Sequence, residues 1–229
     1  FIFCFIFSYG VLVGNQRIFP YKYLKQVKDH LMPKKMQRFI YSGKKPQITQ
    51  HEIIEGQAEV VMFGDSLTEG GLWSELLFPT RAYNRGVGGD HLSHMLLRIE
   101  YVLSLEPKVV FILGGLNDLM NGKPVVEIMS SYEKVVKTLL DNKIEVVLQS
   151  TLKCSRKLDF CEQVINKIDV LNSLIQKLAE RHGVAFLNLN KRLSSNQDGL
   201  MDQHTFDGVH LTGSAYKYWA QQVKNHLKK

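Results

Sequence analysis

The sequence predicts an α/β protein of three layers, a parallel β-sheet with helices on both faces, on three observations. From Glu59 onward short β-branched runs alternate with longer amphipathic stretches, the pattern of strands joined by crossover helices. The short runs are continuously apolar, as strands buried on both faces are. The 229 residues, 45% of them hydrophobic, are enough for one sizeable core and few for two.

Taken in order, the expected strands are Val60 to Phe63, a short one at Ala82 to Asn84, Lys108 to Leu113, Ile144 to Gln149 and Val184 to Leu187. Helices are expected over His91 to Ser104, Val125 to Asn142, Glu162 to His182 and Ser214 to Leu227. The third shows its period plainly, because Val164, Ile168, Leu171, Leu174, Ile175 and Leu178 recur at intervals of three and four. Arg181-His182-Gly183 then supplies the cations and the glycine that close a helix. In such a sheet the loops at the carboxyl ends of the strands form the edge where ligands bind, so functional motifs are sought there.

The formal charge of +7 is unevenly placed. Nine Lys and Arg against a single acid, Asp29, lie between Asn15 and Gln50, and the remainder of the chain after Gln50 is close to neutral. A nucleic-acid partner, which a basic domain would suggest, is therefore not expected. Residues 1–14 are uncharged and almost wholly apolar. They are shorter than the roughly 20 residues that cross a bilayer and are read as the remainder of a truncated anchor or signal core; the alternative is a buried element of the domain. Residues 15–57 are read as a basic helical linker followed by an extended lead-in, and residues 58–229 as the globular domain. The basic stretch can lie on anionic headgroups, giving membrane association through residues 1–45, or be a solvated linker. There is no internal repeat and no low-complexity tract.

Cys154 and Cys161 stand seven apart in an expected loop. A disulfide between them is sterically conceivable in an exported domain, and two free, partly buried thiols fit the sequence equally well. No cysteine spacing resembles a zinc ribbon.

Four short blocks fall on the ligand-binding edge. Val60 to Gly71 runs from a strand into Gly64-Asp65-Ser66 and a helix start. That displays Ser66 on a tight bend with backbone N–H groups near it, as a nucleophilic hydroxyl requires; the plainer use is a helix cap. Asn84-Arg85-Gly86-Val87-Gly88-Gly89-Asp90 has three glycines that let the backbone approach a ligand and turn its N–H groups inward, although an ordinary loop has a similar composition. Gly114-Gly115-Leu116-Asn117-Asp118 places at a strand end an Asn that can donate to developing negative charge or form an Asx turn. Asp207-Gly208-Val209-His210 spaces a carboxylate and an imidazole so that one can orient the other; alone, such a pair is usually surface hydrogen bonding.

In this order the blocks resemble those of the SGNH/GDSL hydrolases, including the platelet-activating-factor acetylhydrolase-like and bacterial acylesterase branches, over roughly residues 58 to 227. The resemblance implies a flavodoxin-like five-stranded parallel sheet of order 2-1-3-4-5, the SGNH hydrolase fold. It implies Ser66 as nucleophile, His210 as base and Asp207 as its partner. The oxyanion donors it implies are the N–H groups of Ser66 and Gly89 and the Asn117 amide. It further implies a serine esterase acting on a small-molecule ester, an acylated glycan, lipid or short-chain ester, with no cofactor and no metal. Small acyl groups, acetyl or short-chain, are expected, and the leader with the family resemblance leans toward a membrane-anchored or exported protein on the extracytoplasmic side.

Two rival readings stay open. Asp202, His204, Asp207 and His210 cluster in sequence, and His91 and His94 form a second pair, which suggests a metal-dependent hydrolase. The His91/His94 spacing alone specifies no metal and is expected on an exposed or half-buried helix face. The other rival is a non-catalytic, envelope-associated binding protein of the same fold, since fold does not imply function. Oligomeric state is not legible in the sequence.

Overall fold

The computed structural model describes residues 46–228. The apolar leader, residues 1–14, and the basic stretch up to residue 45 lie outside the described residues. The first element is α1 (Pro46–Ile53), where the sequence suggested an extended lead-in. Proline at the first helical position loses no intrahelical bond there. The helix buries a single residue, His51, too little periodicity to betray it in the sequence. Burial, then the charges of Arg85 and Arg98, holds the His51 pKa down at about 4.

The sheet begins with β1 (Val60–Gly64), followed by the one-turn helices α2 (Ser66–Glu69) and α3 (Trp73–Leu76) and by β2 (Ala82–Gly86). Two short helices, α4 (Leu92–Leu97) and α5 (Glu100–Leu103), lead to β3 (Val109–Leu113). A single helix over His91 to Ser104 is thus corrected to two, with the break at Arg98, whose φ and ψ are −112° and 16°. The interruption turns the Arg98 side chain into the protein, where it finds polar partners at the strand ends. After β3 come α6 (Leu116–Met120), α7 (Val125–Asp141), β4 (Glu145–Gln149), α8 (Asp159–His182) and β5 (Ala185–Leu187). The chain closes with α9 (Asn190–Leu193), a small hairpin of β6 (Ser194–Ser195) and β7 (Gly199–Leu200), a 3₁₀ turn over Asp202–His204, and α10 (Gly213–Leu227). As its composition predicted, α8 ends on Arg181 and His182 with Gly183 left-handed at φ 65°.

The five strands pair in the order β2-β1-β3-β4-β5, all parallel, which is the expected doubly wound sheet. Alternate residues of β1 and β3 point to opposite faces. Val61, Phe63, Val110 and Ile112 pack with Met95, Ile128, Tyr132, Ile168, Leu171 and Ile175. Val60, Met62, Val109 and Phe111 pack with Leu67, Trp73, Leu193, Leu211 and Trp219. β1 and β3 are buried at every position, so a polar substitution in either would be left without water or partner.

Register brings the strand ends level. Gly64 lies opposite both Gly86 and Leu113, so the blocks after β1, β2 and β3 leave the sheet side by side. The fit between them is close: a Cβ on Gly86 would stand 2.1 Å from the Glu69 nitrogen of α2, a separation only glycine permits.

Candidate active site

At the end of β1 the Asp65 carboxylate accepts a hydrogen bond from the Leu67 N–H at 3.0 Å and caps α2. The capping use and the exposed-serine use of this block therefore coexist, since Asp65 takes the first and Ser66 is left half-buried at the bend. Three side chains hold α2 from its far end. Trp73 Nε1 donates to Thr68 O at 2.7 Å, the Tyr216 hydroxyl of α10 donates to Leu67 O at 2.8 Å, and Asn84 Nδ2 donates to Glu69 O at 2.9 Å. Trp73, Leu116 and Leu119 are core residues, each 3% exposed or less.

The second block returns alongside the first. Val87 N–H donates to Gly64 O at 3.1 Å, and a Cβ on Gly88 would lie 3.8 Å from Ser66 Cβ. Gly89 is exposed and turns at φ 68°. From the third block, Asn117 Nδ2 donates to Asp90 O at 3.0 Å, so one of its two hydrogens fixes the amide while the group carries a second.

The fourth block is a tight loop closed by its own hydrogen bonds. Thr205 Oγ1 donates to His210 O at 2.7 Å and accepts from Gly208 N–H at 2.9 Å. Asp207 Oδ1 accepts the N–H groups of Val209 and His210 at 2.9 and 2.7 Å. Its other oxygen lies 2.6 Å from His210 Nδ1, and His210 Nε2 lies 3.1 Å from Ser66 Oγ, across 144 residues of sequence. With Asp207 taking the Nδ1 proton, the Nε2 lone pair faces the hydroxyl. Burial works against the Asp207 charge, but the hydrogen bonds from His210 and the two backbone N–H groups outweigh it and hold its pKa below the usual carboxylate value. The Phe206 ring stacks on His210 at 6.0 Å.

Beneath these loops lies a charged cluster that the sequence did not reveal. The Arg98 guanidinium, 4% exposed, donates Nε to Asp90 Oδ2 at 2.6 Å and its two terminal nitrogens to Arg85 O and Gly64 O at 2.7 Å each. The available signal was a cation at an inward-facing position of an otherwise apolar helix, eight residues after an Asp. Asp118, also buried, accepts Lys123 Nζ at 2.9 Å and Leu92 N–H at 3.0 Å. Asp65 has no cation of its own, and burial raises its pKa from 3.8 to about 7, with Asp90 and Asp118 adding to the rise and Leu67 N–H and His210 opposing it.

The residues of the metal reading are spent elsewhere. Asp202 pairs with Lys157, Asp207 is held by His210, and His91 and His94 face different carboxylates, Asp118 and Asp90, each at 3.5 Å. Among the described residues no group of three or more His, Cys, Asp or Glu is placed to hold a metal ion. His91 is half-buried and His94 exposed at the start of α4, as the spacing suggested.

Residues 62–218 match the model of the GDSL-like lipase/acylhydrolase family. The chain belongs to this family. A GDSL-like lipase from Bacteroides thetaiotaomicron superposes with a TM-score of 0.71 at 25% identity, over 79% of this chain and 94% of that one. The α2 subunit of platelet-activating factor acetylhydrolase IB from Gallus gallus is 28% identical over 169 residues, 70% of this chain and 72% of that protein. An N-acylneuraminate cytidylyltransferase of Streptococcus agalactiae is 30% identical over 154 residues, 62% of this chain but only 35% of the longer protein. The GDSL match contains Ser66, Gly89, Asn117, Asp207 and His210, and spans both members of the Cys154–Cys161 pair.

Two outcomes are expected from the buried charges. Arg98→Ala leaves the Asp90 carboxylate buried without its cation and should cost about 3–5 kcal/mol, read from urea denaturation; a loss below about 1 kcal/mol would show the cluster to be dispensable. For Asp65 the folded pKa is the higher one, so the stability it contributes is whole below about pH 4 and declines as pH rises through about 7. Asn at this position keeps an acceptor for Leu67 N–H and carries no charge. The Tm of Asp65→Asn minus that of the parent should therefore climb between these pH values and then level, whereas a pH-independent gap contradicts the assignment.

Proposed function

We propose that the protein is a serine esterase that hydrolyses carboxylic esters of small acyl groups through an acyl-enzyme, with Ser66 as nucleophile, His210 as general base and Asp207 orienting it. The observation that carries this reading is the continuous line from Asp207 Oδ2 to His210 Nδ1 at 2.6 Å and from His210 Nε2 to Ser66 Oγ at 3.1 Å. A serine hydroxyl is a weak nucleophile at neutral pH, and an imidazole within hydrogen-bond reach removes its proton as it attacks. The Asp207 carboxylate, kept ionised, steadies the imidazolium that results.

The carbonyl oxygen becomes an oxyanion as the C–O bond to Ser66 forms. The Ser66 and Gly89 N–H groups and the remaining Asn117 N–H are the donors proposed for it, and Asn117 is held in place by Asp90 O. As the first residue of α2, Ser66 has no helical acceptor for its N–H. His210 then gives its proton to the departing alcohol, a water enters, and the same steps in reverse release the acid and restore Ser66. No step calls for a cofactor.

The proposed acyl group is acetyl or another short chain, in keeping with the acetylhydrolase relative. The alcohol side is proposed to be a glycan or a lipid. A buried Cys154–Cys161 disulfide suits an oxidising compartment and supports an exported or membrane-anchored placement. Among the described residues no helix is long and apolar enough to cross a membrane.

Ser66→Ala should remove ester turnover by a factor on the order of 10⁴ or more while leaving the fold intact. Activity near the parent level in a folded variant would refute the nucleophile, and sensitivity to chelators with indifference to a fluorophosphonate would point to the metal reading instead. Asn117→Ala should lower kcat by about 10²–10³-fold, the usual consequence of losing one oxyanion donor. A change confined to KM would exclude it from that role.

A further inference from the structure

The loop between Cys154 and Cys161 belongs to none of the four blocks, yet it is closed covalently, with both cysteines fully buried. One end continues from β4 and is held where Lys153 N–H donates to Asn190 Oδ1 at 3.0 Å. The other end is the first turn of α8. Both ends of the loop are therefore tied to the rigid body of the domain, and the loop projects from them.

It projects against the loop carrying Asp207 and His210. Ser155 N–H donates to Gly208 O at 2.7 Å, and Gly208 is the residue after Asp207. Gly208 has φ 89°, and a Cβ there would lie 2.6 Å from Leu158 Cδ1 and 3.4 Å from Ser155 Cβ, so Leu158 and Ser155 press directly on it. The same short loop reaches the neighbouring segments, since Lys157 pairs with Asp202, Arg156 N–H donates to Asp198 O at 2.8 Å, and Cys154 O accepts Leu200 N–H at 3.0 Å. Elsewhere the two loops do not fill the space between them. A cleft of about 330 Å³ remains, lined by Lys157, Leu158, Thr205, Phe206 and Asp207 among others. Close packing is therefore not what fixes their separation there, and the restraint falls on the Ser155–Gly208 hydrogen bond, the Leu158 contact and the covalent closure behind them.

We propose that the Cys154–Cys161 disulfide is a positioning brace for the Asp207–His210 loop, holding His210 at working distance from Ser66 so that turnover depends on the bond being intact. The proposal rests on the triad reading of Ser66, His210 and Asp207. The Asp207–His210 loop keeps its local shape through Thr205 and its own backbone bonds, so loosening the brace moves it as a unit. Ser66, Gly89 and Asn117 are held by other elements and stay in place. A shift of about 1 Å in a reacting group can cost on the order of 10²-fold in rate. Reduction needs two electrons and two protons, which a dithiol supplies as it closes into its own cyclic disulfide, leaving two thiols on the protein.

The test compares the parent, a Cys154→Ala/Cys161→Ala double variant and Ser66→Ala with a short-chain ester, with and without dithiothreitol, and tracks phosphonylation of Ser66 by a fluorophosphonate. The double variant should lose on the order of tenfold in kcat and in phosphonylation rate with KM within about twofold. Dithiothreitol should bring the parent to the same level and leave the double variant unchanged. A double variant with parental kcat beside an inactive Ser66→Ala overturns the brace and leaves the triad standing, as does a loss that appears only in KM. A parent with no Ser66-dependent turnover overturns both. If the double variant does not fold, Leu158→Ala keeps the disulfide and removes the contact with Gly208; it should show the same loss in kcat to a smaller degree, and parental kcat there counts against the brace.

Discussion

The buried guanidinium of Arg98 is the constraint on which the arrangement of this edge depends. Its hydrogen bonds reach the carbonyl that ends β1, a carbonyl of β2 and the carboxylate of Asp90. A strand end leaves backbone carbonyls without sheet partners, and in a buried location each must find a donor. One planar cation with several N–H groups in fixed directions meets that demand at two strand ends together. Asp90 in turn passes the restraint on, because its own carbonyl holds the Asn117 amide. Three of the four blocks are thereby referred to a single side chain.

The fourth block is built on a different principle. Asp207, Gly208 and His210 are organised by Thr205 and by backbone hydrogen bonds inside the loop, and the loop is then set against its neighbours as a finished piece. Its position depends on what it leans on, which is why the segment from Cys154 to Cys161 has weight beyond its length. The two parts meet at the 3.1 Å contact between His210 and Ser66. The electrostatic cost of the arrangement falls on Asp65, a buried carboxyl that caps α2 without a counter-charge of its own, while Asp90 and Asp118 each have one.

The sheet was legible in the sequence because its strands are apolar without interruption: Val60 to Phe63 and Lys108 to Leu113 admit no reading as half-exposed segments. The long helices were legible for the matching reason, a clean period of three and four in Ile168, Leu171, Ile175 and Leu178. The features that escaped were decided by side-chain demands rather than by period. Arg98 breaks an otherwise regular helix because its charge has partners only inside the protein. α1 buries just His51 and so has no stripe to detect. The positions of Ser66, Asn117, Asp207 and His210 at strand ends could be read, and the structure brings them to one edge. Their supports could not, since Trp73, Tyr216 and Thr205 act through backbone carbonyls and amides contributed by residues elsewhere in the chain. The cysteine pair stood open between thiols and a disulfide until the loop geometry brought the sulfurs together.

The clamp on α2 and the imidazole both come from the last part of the domain, Tyr216 from α10 and His210 just ahead of it. During synthesis the hydroxyl emerges 144 residues before the imidazole that faces it, and the hydrogen bond that steadies its helix arrives later still. A polypeptide interrupted before this tail lacks proton acceptor and support together. Nascent and clipped forms are therefore inert toward the cell's own acylated material, and the chemistry starts only once the tail has docked.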